Sequence, residues 1–302
     1  MISLRALARL AQEHGPDLDL PVAPFRVGDR LVDTDAEPVL MGTVNLSPDS
    51  TYRESVALST ESAIRKARVQ IAQGAHLVDI GAESSTLRAA RVEPSHQAAA
   101  LVPVIEALAA EGIVVSVEAY DVDVVEAGLK AGARVVNLTG SADDEAVFET
   151  VARHGASLVL CQVTGANVRE VVDAPVASDP FPSMLDHFGP RIELARRRGV
   201  EHLAVDPGLG FYYGNLTEPM VRLRYQTSVI LSTFRLRRLG LPVCHALPHA
   251  FMLFEDEFRT AESFFAVLAA LGGTGVLRTH EVPRVRAVID ALTRLDVVPT
   301  AR

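Results

Sequence analysis

Two cysteines, Cys161 and Cys244, are all that this sequence has. Both lie inside apolar runs and read as buried free thiols, since a disulfide framework or a cysteine-based metal site needs more of them or tighter spacing. No apolar stretch is long enough to span a bilayer. No lysine- or arginine-rich block offsets the net charge of −9. That argues against a nucleic-acid or membrane partner, and any anionic substrate needs a local cluster of basic groups. There is no low-complexity tract. The first residues, MISLRALARLAQEHGPDLDL, carry acids and no continuous apolar core. They make a poor signal peptide and read as a short amphipathic helix ending near Gly15-Pro16. A cytoplasmic location is the resulting expectation.

What is present is apolar: 48% of 302 residues, enough for a large core in either two small domains or one α/β barrel. Short apolar runs fall at 39–44, 76–80, 113–117, 134–137, 157–161, 202–205, 242–247 and 275–279. Helical periodicity fills roughly 60–73, 95–111, 121–131, 143–154, 183–198, 218–239, 258–271 and 282–294. The runs are near-continuously apolar, as in strands buried on both faces. Ser59 and Asp143 are placed to start helices. Gly74, Gly112, Gly132, Gly155, Gly199 and Gly240 are placed to end them. Eight alternating units predict an α/β fold, a (β/α)8 TIM barrel, with a doubly wound open sheet as the alternative because periodicity does not show closure. Residues 1–38 are expected to form an N-terminal helix and hairpin extension capping a barrel of residues 39–302. The hairpin, within 24–38, would turn at Gly28-Asp29 and plug the barrel bottom.

In such a barrel the residues just past each strand build the site. Here they are Asn45 and Ser47-Pro48-Asp49-Ser50, then Asp79 through Glu83 to Ser85-Thr86, Glu118, Asn137, Asp206, and finally Arg278 and His280. Each alone has a bland reading as a cap, a turn or a solvated polar group. Together they converge from at least six strands on one rim. Glu118, Asn137 and Asp206 suit the amide and amino edge of a flat heterocycle, where a carboxylate can accept a two-bond fork. Arg278 and His280 supply positive charge beyond the last strand, a common phosphate position in barrels. Asn45 and Ser50 offer oxygens of the kind Mg²⁺ takes beside a diphosphate. His245, His249 and His280 raise the idea of a metal site; the spacing of four between the first two suits a helix, but His245 falls in a predicted strand and Pro248 intervenes. They read as core or rim histidines rather than a zinc site.

These motifs resemble the dihydropteroate synthase family of pterin-binding barrels. The family's M-G-I-L-N-V-T-P-D-S-F stands here as M-G-T-V-N-L-S-P-D-S-T over 41–51, and its D-I-G-G-E-S-T-R-P as D-I-G-A-E-S-S-T-L over 79–87. Its S-V-D-T-Y is S-V-E-A-Y at 116–120, its I-N-D is V-N-L at 136–138, its D-P-G-I-G-F-G-K is D-P-G-L-G-F-Y-Y at 206–213, and its R-V-H-D-V is R-T-H-E-V at 278–282. The resemblance implies a transferase of folate biosynthesis that joins a dihydropterin-methyl diphosphate to p-aminobenzoate, releasing diphosphate. Asn45 would hold a Mg²⁺-diphosphate. Glu118, Asn137 and Asp206 would bind the pterin. Ser50, Ser85 and Thr86 would lie on the side of the second substrate, an aryl amine. Arg278, His280 and Asn45 would act on the leaving group. The family also implies a homodimer through the late helices, where 251–271 is rich in phenylalanine.

The departures concern charge. Glu118 replaces the family's aspartate and is one methylene longer. Tyr213 and Ala250 stand where the family has lysines, and Thr86 where it has a loop arginine. Arg53, Arg88, Arg91 and His249 are the nearest candidates to compensate. A lost charge-assisted bond costs on the order of 1.5–3 kcal/mol. The alternative reading is therefore a divergent paralogue that binds a pterin-like heterocycle but catalyses a different transfer, or a non-catalytic pterin-binding protein.

Overall fold

The computed structural model describes residues 1–86, 89–170, 173–174 and 177–295. Two strands, β1 (Phe25–Val27) and β2 (Arg30–Val32), form an antiparallel hairpin. Eight further strands are β3 (Val39–Asn45), β4 (Leu77–Gly81), β5 (Val115–Ala119), β6 (Val135–Leu138), β7 (Ser157–Cys161), β8 (Leu203–Asp206), β9 (Cys244–Ala246) and β10 (Val276–Thr279). They lie in the order β8-β7-β6-β5-β4-β3-β10-β9, and every pairing is parallel. A parallel bridge between Val205 and Val243 joins the two ends, with the Val205 amide donating to Pro242 O at 3.1 Å. The sheet is therefore a near-closed barrel rather than the open alternative. Its strands are buried on both faces, which is why their sequences are apolar throughout.

Two N-terminal helices, α1 (Leu4–Glu13) and α2 (Gly15–Leu18), precede the hairpin. Around the barrel run α3 (Thr60–Ala72), α4 (Pro94–Ala110), α5 (Val122–Lys130), α6 (Asp144–Arg153), α7 (Phe181–Arg197), α8 (Pro219–Leu231), the short α9 (Phe251–Phe254), α10 (Ala261–Leu271) and α11 (Val282–Arg294). Ser59 caps α3 in a reciprocal box with Ser62. The six glycines expected to end helices all adopt positive φ. Two helices are shorter than their periodicity suggests. The pattern over 218–239 becomes α8 and then a 3₁₀ segment, Thr233–Leu239, because the Thr233 hydroxyl turns back onto the carbonyls of Val229 and Ile230. The pattern over 258–271 begins with 3₁₀ turns, Glu255–Thr260, before α10.

The hairpin turns at Gly28, whose φ of 61° suits glycine. Phe25, Val27 and Val32 pack with Val39, Met41, Leu77, Val135 and Val276, the first or third residues of their strands. The N-terminal end of the barrel interior is thus filled with hydrocarbon, which leaves the opposite rim as the open end.

Arg191 of α7 ties that rim together. Its guanidinium donates twice to Asp144 at 2.7 Å, and to the carbonyls of Cys161 at 2.7 Å and Gly140 at 2.8 Å. Arg191→Leu leaves Asp144 unpaired and two carbonyls without donors. Urea denaturation is expected to show a loss of about 3 kcal/mol; an unchanged midpoint would refute this role.

Candidate active site

The floor of the open end is a charge network. Asp79, in the middle of β4, is fully buried. One of its oxygens accepts from Ser116 Oγ at 2.6 Å, and the other from Asn137 Nδ2 at 3.0 Å and Arg278 Nε at 2.7 Å. Arg278 also donates through Nη2 to Glu118 at 2.6 Å. Cys161 donates to Asn137 Oδ1 at 3.2 Å, and Asp206 accepts from the Gly208 amide at 2.7 Å. Three carboxylates thus surround one guanidinium. Burial, with Asp79 and Asp206 close by, pushes Glu118 up to about 7 against the pull of Arg278. Burial likewise pushes Asp206 up to about 6, against its bond from Gly208. For Arg278, burial opposes the charge, but Glu118 and Asp79 outweigh it and raise the pKa.

Above this floor opens a cavity of about 530 Å³ whose lining includes Asn45, Ser50, Ser85, Thr86, Arg278 and His280. A smaller space of about 50 Å³ adjoins it, sharing Glu118 and Arg278 and adding Asn137 and Asp206. All nine residues given binding or catalytic roles by the resemblance therefore line these two adjoining spaces. Asn45 closes β3 and donates through Nδ2 to Ser50 Oγ at 2.9 Å and Ser55 Oγ at 2.6 Å. Its Oδ1 has no hydrogen-bond partner among the described residues. At the mouth, Thr51 meets Thr86 at 3.2 Å and the Tyr212 hydroxyl at 2.8 Å, so three loops touch.

The substituted positions are also placed. Tyr213 donates to Gly208 O at 3.0 Å, and burial raises its pKa. Ala250 lines the cavity at φ 46°. Arg53 is bound to Pro48 O at 2.7 Å, and Arg91 to the Tyr120 hydroxyl at 3.1 Å. Leu87 and Arg88 lie outside the described residues. Of the candidate compensating groups, His249 reaches the cavity wall. Its Nδ1 lies 3.1 Å from Glu262 Oε1, and His280 Nδ1 lies 2.8 Å from the same oxygen. Tyr52 stacks on His280 at 4.5 Å. Burial acts against the Glu262 charge, but His280 and His249 outweigh it and hold the carboxyl below its usual range. Burial lowers His280. His245 is apart from this group, fully buried and bonded to Thr233 at 2.7 Å.

Sequence reasoning missed Asp79 as the hub, together with Tyr52 and Glu262. Asp79 carried a signal, because it opens the D-I-G motif. Ser116, two residues before Glu118 on β5, points to the same side of the strand. Glu262 carried none, since it opens an otherwise apolar helix.

Residues 41–280 match the family model described as "Pterin binding enzyme". The dihydropteroate synthase of Mycobacterium leprae is 30% identical over 262 residues, 84% of this chain and 90% of that protein. The dihydropteroate synthase of Synechocystis is 28% identical over 285 residues, 90% of this chain and 96% of the other. Among solved structures, the Xanthomonas albilineans dihydropteroate synthase with 4-aminobenzoic acid superposes with TM-score 0.76 at 26% identity, covering 92% of this chain and 100% of that one. The same enzyme with 7,8-dihydropteroate gives 0.73 at 24% identity, over 91% of this chain and all (100%) of that one, a likeness of fold.

The raised Glu118 has a signed consequence. Between about pH 4.5 and 7 the folded chain keeps a proton that the unfolded chain has released, so this group's contribution to stability falls as pH rises through that window. Carbon-13 NMR of the carboxyls should find Glu118 titrating near 7, and the Glu118→Gln variant should show a flatter fall in stability over the same range. A midpoint near 4 would mean that burial does not outweigh Arg278 at Glu118.

Proposed function

This chain belongs to the pterin-binding enzyme family, and we propose that it condenses a dihydropterin-methyl diphosphate with p-aminobenzoate or a closely related aryl amine, releasing diphosphate. The observation that carries this reading is the cluster of Asp206, Asn137 and Glu118 beside the Asp79–Arg278 pair, at the base of a cavity open to the rim. Asp206 is a buried carboxylate that takes the Gly208 amide at Oδ1 and a hydrogen bond from the Cys244 thiol, and it lines the inner space where its remaining acceptor capacity would meet the N–H groups of a heterocycle. Asn137 already gives Nδ2 to Asp79 and receives Cys161 at Oδ1, so it is held in one orientation. The second substrate would lie in the outer cavity, whose lining includes Ser50, Ser85 and Thr86.

The carbon–oxygen bond to diphosphate breaks as the amine approaches, so stabilising the departing anion matters more than a strong nucleophile. Arg278 and His280 line the cavity and would meet that anion. The residues present also fit Mg²⁺: Asn45 presents an uncommitted amide oxygen to the cavity, a hard donor of the kind this ion takes. When bound, Mg²⁺ would neutralise diphosphate charge. A homodimer through the exposed Phe251, Met252, Leu253 and Phe264 belongs to the same reading. No helix among the described residues is long and apolar enough to cross a membrane.

One observation favours the second reading, a paralogue with another acceptor or donor. Arg278 is already shared by two carboxylates, and Tyr213 fills a lysine position with a neutral, internally bonded group.

Purified protein incubated with dihydropterin diphosphate, p-aminobenzoate and Mg²⁺ is expected to yield dihydropteroate. None at stoichiometric enzyme would sink the reading, and pterin binding without product would favour the second. Ala250→Lys adds one cation on the cavity wall and is expected to tighten inorganic diphosphate binding by on the order of tenfold or more, measured by calorimetry. No change would mean that this position does not face the leaving group.

A further inference from the structure

We propose that His249, His280 and Glu262 form a binding site for a divalent transition-metal ion of the zinc class. The three come from separate elements: the loop after β9, the start of α10, and the loop after β10. One potential ligand atom from each lies within 4.8 Å of the others. His249 Nδ1 and His280 Nδ1 stand 3.1 and 2.8 Å from one and the same oxygen, Glu262 Oε1. In a tetrahedral zinc site with bonds of 2.0–2.2 Å, neighbouring ligand atoms are separated by roughly 3.3 Å. The side chains therefore need to part by only a few tenths of an ångström on those two edges. Two histidines and one glutamate are also a recurring three-ligand set for zinc that keeps a fourth position open. The open side is available, because His249 and His280 line the cavity while Glu262 is buried behind them.

The surroundings hold these ligands as a metal site requires. Glu262 Oε2 accepts from the Thr279 hydroxyl, from the His280 amide at 2.8 Å and from the Glu281 amide at 3.2 Å, so the carboxylate is fixed with Oε1 toward the imidazoles. Tyr52 packs against both rings, at 4.5 Å from His280 and 4.9 Å from His249, and its hydroxyl is anchored on Glu281 at 2.6 Å. Neither imidazole Nε2 has a hydrogen-bond partner among the described residues. Without metal, a proton on Nδ1 makes the bond to Glu262 Oε1; a metal would displace that proton, leaving the Nε2–H tautomer with its Nδ1 lone pair on the ion. Two nitrogens and one carboxylate oxygen select zinc, cobalt or nickel over magnesium. The donor set differs in kind from the single amide oxygen of Asn45. An ion here would place positive charge on a wall where Ala250 supplies none.

The test uses the full chain, freed of metal with a chelator, and titrates Zn²⁺ by calorimetry and Co²⁺ by visible absorption. One equivalent of Zn²⁺ is expected, with the intense visible bands of tetrahedral cobalt and no displacement by excess Mg²⁺. His249→Ala and the nearly isosteric Glu262→Gln should each weaken Zn²⁺ binding by more than about 100-fold. His202→Ala, remote from the site, should leave it unchanged. Circular dichroism of each variant confirms folding, and Glu262→Gln serves if His249→Ala does not fold. Absence of a stoichiometric site, or a site that survives Glu262→Gln, would overturn the proposal and leave Glu262 as a carboxylate that only hydrogen-bonds two imidazoles. No pterin enters the titration, so its outcome is independent of whether the transfer reading holds.

Discussion

The contact between Arg278 and Asp79 sets the terms for everything else at the open end of the barrel. Asp79 is fully buried, and a carboxylate in that position is tolerable only with close charged and hydrogen-bonding partners. Arg278 comes from β10, Asp79 from β4, Ser116 and Glu118 from β5, and Asn137 from β6. One network thus ties four strands together and fixes which atoms remain for a ligand. Asp206 and the edge around Glu118, which line the inner space, are what it leaves over.

The same network explains why the charge departures matter. A guanidinium committed to two carboxylates offers less to a diphosphate than a free one, because the ligand has to compete with Asp79 and Glu118 for the same N–H groups. The family's lysines would have added cations from the facing loops. Here Tyr213 is bonded to its own loop and Ala250 is short, so positive charge must come from Arg278 or from bound metal. The proposed active site is thus recognisable in its pterin-facing half and rebuilt in its anion-facing half.

Much of this was legible in the sequence, for a geometric reason. A parallel barrel gathers the C-terminal ends of all its strands on one rim, so polar residues that follow apolar runs converge wherever the runs lie in the chain. Asn45, Glu118, Asn137, Asp206 and Arg278 were found that way, and the hairpin turn was marked by Gly28-Asp29. Barrel closure was not legible, because apolar periodicity is the same in open and closed sheets. Glu262 was hidden because its role depends on where α10 begins relative to the end of β10. That junction is set by the 3₁₀ turns before the helix, which periodicity counted as helix. The division of Arg278 between two carboxylates was hidden too, since a strand-end arginine reads as a free cation until its neighbours are placed.

The most direct test of the account is the affinity of a 7,8-dihydropterin for the wild-type chain and for Asp206→Asn, measured by calorimetry at pH 7.5. The account predicts a single site in the wild type, weakened at least tenfold when the Asp206 carboxylate becomes an amide, because a charge-assisted fork is lost at the base of the pocket. A wild-type chain that binds no pterin, or an Asp206→Asn variant that binds it equally well, would contradict it.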